Sequence, residues 1–146
     1  MSDWCSNIMH LRGPTKKVSL LWDKAEKERS LLQAMIPLSN EASVNEKWGT
    51  ETEVNPFENP LEIEHYEGDK SLIQGNFSTL LEPPNKAFAK YLAKNEDITI
   101  VNHYLKGDSP CGGCFKGSDG TYEDVEDKKS RYFKILLRGK SRRRSM

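Results

Sequence analysis

An α/β chain, with a mixed sheet packed by helices, is the fold class this sequence predicts, and three observations carry the prediction. Segments of helical period and segments of strand period are interleaved along the chain rather than grouped, the pattern expected of helices laid on a sheet. Residues 98–105 and 132–138 are β-branched or alternating runs, which read as strands. Residues 23–36 and 85–95 are amphipathic stretches bounded by capping and stop signals, which read as helices.

Taken in order, the first element is a short strand over 16–22, with Val18, Leu20 and Trp22 on one face. Asp23 with Glu26 three residues on has the form of a capping box. The helix that follows buries Ala25, Leu32, Met35 and Ile36, and Pro37 stops it. From Ser39 to Pro60 the chain is dense in Asn, Glu, Pro and Gly, so only weak strands around Trp48 and Val54 are expected. Leu61-Glu62-Ile63-Glu64-His65 alternates apolar and charged residues, as either a strand end or the entry to a helix would. Asn85 caps the second helix, which gathers Phe88, Tyr91 and Leu92 on one side. Ile98, Thr99, Ile100 and Val101 open the strand over 98–105, residues 107–120 are turn-rich, and Phe133, Ile135 and Leu137 share a face of the last strand. Residues 1–138 therefore read as a single domain and 139–146 as a basic, disordered tail.

Composition narrows the function classes. The 146 residues suit one domain with one core. The formal net charge is zero, so the chain as a whole has no attraction to nucleic acid or membrane. The charge is uneven, however: acidic residues crowd the middle, and Arg142, Arg143 and Arg144 form a basic run near the end. Such a run is most often a solvated tail, and its functional reading is phosphate binding or nuclear targeting. No run approaches the roughly 20 apolar residues of a membrane span, and the first residues lack a signal-peptide core. Three cysteines, two of them only three apart, make a poor disulfide framework and a reasonable metal pair in a reducing compartment. A cytoplasmic or nuclear location without membrane contact is expected.

The strongest chemical signal is Pro110-Cys111-Gly112-Gly113-Cys114. Two thiolates three residues apart can converge on zinc, and the glycines would let the backbone turn tightly around it. Zinc needs further ligands, and the candidates are Cys5, His10, His65 and His103. His65-Tyr66-Glu67 has the form His-x-Glu. His-x-Glu followed by Pro-Cys-x-x-Cys resembles the signature of the zinc-dependent cytidine deaminase-like superfamily, in its DNA/RNA-editing or toxin-type branches.

What the resemblance implies is a cytidine deaminase-like fold over about residues 23–138. His65, Cys111 and Cys114 would bind Zn²⁺, and Glu67 would be the catalytic proton shuttle beside the metal-bound water. The implied activity is hydrolytic deamination of cytosine in single-stranded nucleic acid or nucleotide, with Arg142, Arg143 and Arg144 as weak nucleic-acid contacts. Two other readings stay open. One is a small zinc-stabilised binding module in which Cys111, Cys114, His103 and Cys5 close the metal and the basic tail engages a partner. The other is a deaminase fold retained as a non-catalytic interaction protein.

Overall fold

The computed structural model describes residues 4–37, 48–50, 52–66, 68–106 and 112–127. The chain opens with β1 (Trp4–Pro14), which buries Cys5, Asn7, Met9 and Leu11 on one side and turns Ser6, Ile8 and His10 to the other. That inward set mixes a thiol, an amide and a thioether with a single leucine, so the alternation leaves little hydrophobic trace in the sequence.

Next come α1 (Thr15–Glu28) and α2 (Leu31–Met35). Residues 16–22, expected as a strand, form the first half of α1. Its buried positions are Val18, Leu21 and Ala25, at the i, i+3, i+7 spacing of a helix face. Leu20, which a strand would bury beside Val18, is 67% exposed. Asp23 and Glu26 consequently lie inside the helix and cap nothing. Arg29 adopts the left-handed conformation at φ 53° and ends α1. Ser30 then starts α2, its hydroxyl accepting from the Gln33 N–H at 3.0 Å. The one helix expected over 23–36 is thus two.

The remaining elements are β2 (Leu61–Tyr66), β3 (Lys70–Leu80), α3 (Asn85–Lys94), β4 (Thr99–Lys106), β5 (Gly112–Ser118) and β6 (Thr121–Asp127). The expected helix over 85–95 and strand over 98–105 are present to within a residue or two. Trp48 and Val54 are buried but form no strand, and the Trp48 indole N–H donates to the Ile36 carbonyl at 2.9 Å. Within the turn-rich 107–120, residues 112–118 are a strand, and Asp119 and Gly120 (φ 54° and 79°) make a tight turn into β6. Two consecutive positive φ angles are what a two-residue hairpin turn requires. The strand expected over 132–138 and the tail over 139–146 lie outside the described residues.

The six strands lie in the order β2-β3-β1-β4-β5-β6, and every neighbouring pair is antiparallel. The mixed sheet expected from the sequence is therefore an antiparallel one. With α1 and α2 taken together as one crossover, the chain from β1 to β4 follows a β-α-β-β-α-β course with strand order 2-3-1-4, the split βαβ arrangement; β5 and β6 extend it as a meander. The core is built from one face alone: Met9, Leu11, Ile73, Phe77, Ile100 and Phe115 meet Val18, Leu21, Leu31, Leu32, Phe88 and Leu92 from the helices. Among the described residues no helix contributes to the opposite face.

Candidate functional site

The sheet register decides which of the expected site residues can meet. His65 is on β2, directly opposite Ser71 of β3. Its Nδ1 lies 2.6 Å from the Ser71 hydroxyl, which is itself 2.8 Å from the hydroxyl of Thr15 at the start of α1. Ser71 is fully buried, and the pair two residues along, Ile63 and Ile73, packs with the core. His65 therefore points to the helix-covered side and braces the edge strand against α1.

Cys114 is on β5 and points the other way. Its neighbour Phe115 is the core residue, while Cys114 sits opposite His103 of β4, which in turn sits opposite Ile8 of β1. Between β2 and β5 there are four interstrand steps, through β3, β1 and β4, or about 19 Å at roughly 4.8 Å per step. Zinc holds its ligands at about 2.0–2.3 Å. His65 and Cys114, on opposite faces and that far apart, do not meet at one ion in this arrangement. Both lie within strands. Glu67, Cys111, Arg142, Arg143 and Arg144 lie outside the described residues.

The structure does bring His103 and Cys114 together, with His103 Nε2 3.9 Å from Cys114 Sγ. Nearness alone follows from register, since opposed residues in antiparallel strands hold their Cβ atoms about 5 Å apart. The separation also has chemical meaning. An imidazole nitrogen and a thiolate bound tetrahedrally to one zinc stand about 3.6 Å apart, given the usual bond lengths. The pair is within a few tenths of an ångström of that spacing, and Cys111 is three residues from Cys114 in sequence.

Both groups are half-buried, and their electrostatics are those of neutral partners. Burial lowers the His103 pKa from its ordinary value, and His10 and Lys116 lower it further. Burial raises the Cys114 pKa; Lys116 offsets part of this and Asp124 adds to it. A neutral imidazole beside a protonated thiol is not the imidazolium–thiolate pair of an activated cysteine nucleophile. A neutral imidazole is, however, ready to ligate a metal, which would displace the thiol proton.

Cys5 does not complete the set. It is fully buried on the helix-covered side of β1, and burial is the chief cause that pushes its thiol up to about 12. His10 is better placed. It shares the uncovered face of β1, two residues along from Ile8, the position opposite His103, and its charge is felt by that imidazole. Among the described residues no three metal-binding side chains already converge. Alternation along β1 was the signal that singles out His10, but it becomes readable only once β1 is known to be a strand.

The glycines between the two cysteines have a structural reason of their own. A Cβ on Gly113 would lie 2.5 Å from the Tyr104 hydroxyl and 2.7 Å from the Val125 carbonyl oxygen, and one on Gly112 would lie 2.6 Å from the Tyr104 carbonyl oxygen. They let β5 approach β4 and seat Tyr104, rather than turning the chain around a metal.

Comparison of the chain with protein-family models, with curated proteins and with solved structures finds no match. Among the described residues no helix is long and apolar enough to cross a membrane.

Proposed function

We propose that this chain is a small zinc-stabilised binding module. His103 and Cys114 would hold the metal on the uncovered face of the sheet together with Cys111, and His10, on the same face of β1, is a further candidate ligand. The observation that carries the reading is the 3.9 Å approach of His103 Nε2 and Cys114 Sγ. The metal would tie β4 to β5 through His103 and Cys114. The Arg142, Arg143 and Arg144 run supplies charge for an anionic partner.

Hydrolytic deamination of cytosine is the reading with less support. It needs His65 to share one zinc with Cys111 and Cys114, and Glu67 to stand beside that zinc. Four interstrand steps and a change of face separate His65 from Cys114.

Metal analysis of protein purified without added zinc tests the proposal, with about one zinc per chain expected. Cys114→Ser and His103→Ala should each lower the occupancy, while His65→Ala and Cys5→Ser should leave it unchanged. Loss of zinc in His65→Ala, with retention in His103→Ala, would transfer the metal to the deaminase arrangement. Metal-free, fully folded parent protein would overturn both.

A further inference from the structure

We propose that the free edge of β6 seats residues 132–138 of the same chain as a seventh antiparallel strand, with Phe133, Ile135 and Leu137 in the groove between β6 and α3. β6 is the last strand of the sheet, and among the described residues no strand pairs with its outer side. Such an edge presents a row of backbone N–H and C=O groups without interstrand partners.

The groove beside that edge suits apolar side chains. It measures about 480 Å³ and is lined by Ala89, Ala93, Lys86 and Lys90 of α3 and by Tyr122 of β6. A lysine lays its alkyl stem along apolar surface while the ammonium stays in water. Under α3 an aromatic row runs outward from the core: the ring centroids of Phe88 and Phe115 are 5.7 Å apart, and those of Phe115 and Tyr122 are 5.2 Å apart. The row stops at Tyr122, which is 55% exposed. Asp124, the other β6 residue in the groove, is turned toward Tyr104 and Asn85, from which it accepts at 2.6 and 3.0 Å.

The sequence supplies the occupant. Four residues, Lys128 to Arg131, join β6 to Tyr132-Phe133-Lys134-Ile135-Leu136-Leu137-Arg138, a connection within the roughly two to five residues of ordinary hairpins. Folding back on β6 sets Asp127 opposite Tyr132, and the same register results if only Lys129 and Ser130 make the turn. Asp124 then meets Ile135, and Tyr122 meets Leu137. Directly opposed residues share a face. Tyr122 and Asp124 lie on the helix-covered side, so Phe133, Ile135 and Leu137 fall on that side too. On the other face Lys134 and Arg138 stand diagonal to Glu123, within reach of long side chains.

Charge and length select this segment over other occupants. β6 carries Glu123, Asp124, Glu126 and Asp127 and no basic residue, whereas 128–138 carries Lys128, Lys129, Arg131, Lys134 and Arg138 and no acidic one. The β6 of a second copy laid on this edge would set acid against acid, which destabilises a strand pair. The opposite edge, β2, is five interstrand steps away, about 24 Å at roughly 4.8 Å per step. A four-residue connection reaches only about 18 Å when extended, at roughly 3.6 Å per residue. The groove faces away from His103 and Cys114, and its filling does not depend on whether they hold metal.

The test is NMR on the isotope-labelled full chain. The methyls of Ile135 and Leu137 should show nuclear Overhauser contacts to the Tyr122 ring and to the methyls of Ala89 or Ala93. Leu137→Asp should abolish those contacts and speed exchange of the edge-facing β6 amides at least tenfold, while the amides of β1 and β3 keep their protection. Where that variant fails to fold, Glu123→Cys with Leu136→Cys, opposed in this register, should close an intramolecular disulfide found by peptide mapping. Glu123→Cys with Ile135→Cys, on opposite faces, should not. The proposal is overturned by absence of the contacts, by contacts to Ile8 and Val101 on the uncovered face instead, by contacts that arise only between differently labelled copies, or by unchanged β6 exchange in Leu137→Asp.

Discussion

At the scale of single residues, burial on the uncovered face sets a pH dependence. The pKa of His10 is lowered by burial and then by Arg12, and that of His103 by burial and then by His10 and Lys116. Both folded values lie below the ordinary 6.5. As pH falls through that value the unfolded chain takes up protons that the folded chain refuses, so stability is fully present above it and is lost with acidification. The thermal midpoint of metal-free protein should accordingly drop between about pH 7 and pH 5, around the ordinary histidine pKa. Replacing both histidines by asparagine should flatten the drop. The same slope in the double variant would place the titrating groups elsewhere. Zinc changes the balance in the same direction, since protons compete with the metal for His103 Nε2 and Cys114 Sγ.

At the scale of elements, β5 is a strand because its two glycines let it be one. Gly113 has the Tyr104 hydroxyl where a Cβ would go and Gly112 has the Tyr104 backbone, while Phe115 anchors the strand beneath α3 through Phe88, with ring centroids 5.7 Å apart. Gly113→Ala must push either Tyr104 or the β5–β6 pairing aside. Overpacking of this kind costs about 1–3 kcal/mol. In urea the midpoint should fall with the slope unchanged, and a midpoint equal to the parent's would mean that the strands separate without cost. The α1–α2 junction obeys similar local logic: a left-handed Arg29 ends α1 and the Ser30 hydroxyl caps α2, so the chain turns between two helices.

At the scale of the whole molecule, stability is concentrated in the middle of the sheet. β1 pairs along its length with β3 and over eight residues with β4, and Leu11 at its centre is fully buried. Leu11→Ala leaves a cavity under α1 and should cost about 2–5 kcal/mol. That is a large share of the roughly 5–15 kcal/mol that holds a typical domain together. Calorimetry should show a large drop in the thermal midpoint, and a drop no greater than that of an exposed substitution such as Leu20→Ala would place the core elsewhere. The α3 helix and the β4 strand are readable from sequence because their buried positions are filled by residues of one kind: Phe88, Tyr91 and Leu92 in the first, Ile98 and Ile100 around the second. β1, β3 and β5 are not, because their inward positions include Cys5, Asn7, Ser71, Thr79 and Gly113.

The sequence by itself determined the presence of α3 and β4, the Cys-x-x-Cys pair as the chemical feature to explain, and the short roster of histidines available to join it. Those are properties of local spacing and residue type, and local spacing is what a linear pattern records. Tertiary structure alone decided that His65 braces an edge strand through Ser71, that Cys114 meets His103, that Cys5 turns inward, and that Tyr104 and Asn85 both donate to Asp124. Each of those outcomes depends on strand order and on the parity of register. A shift of one residue in the pairing would carry every side chain of a strand to the opposite face. Register here is held by contacts such as Cys5 with Thr79 and Asn7 with Tyr104, between segments far apart along the chain, whose energies no local pattern contains.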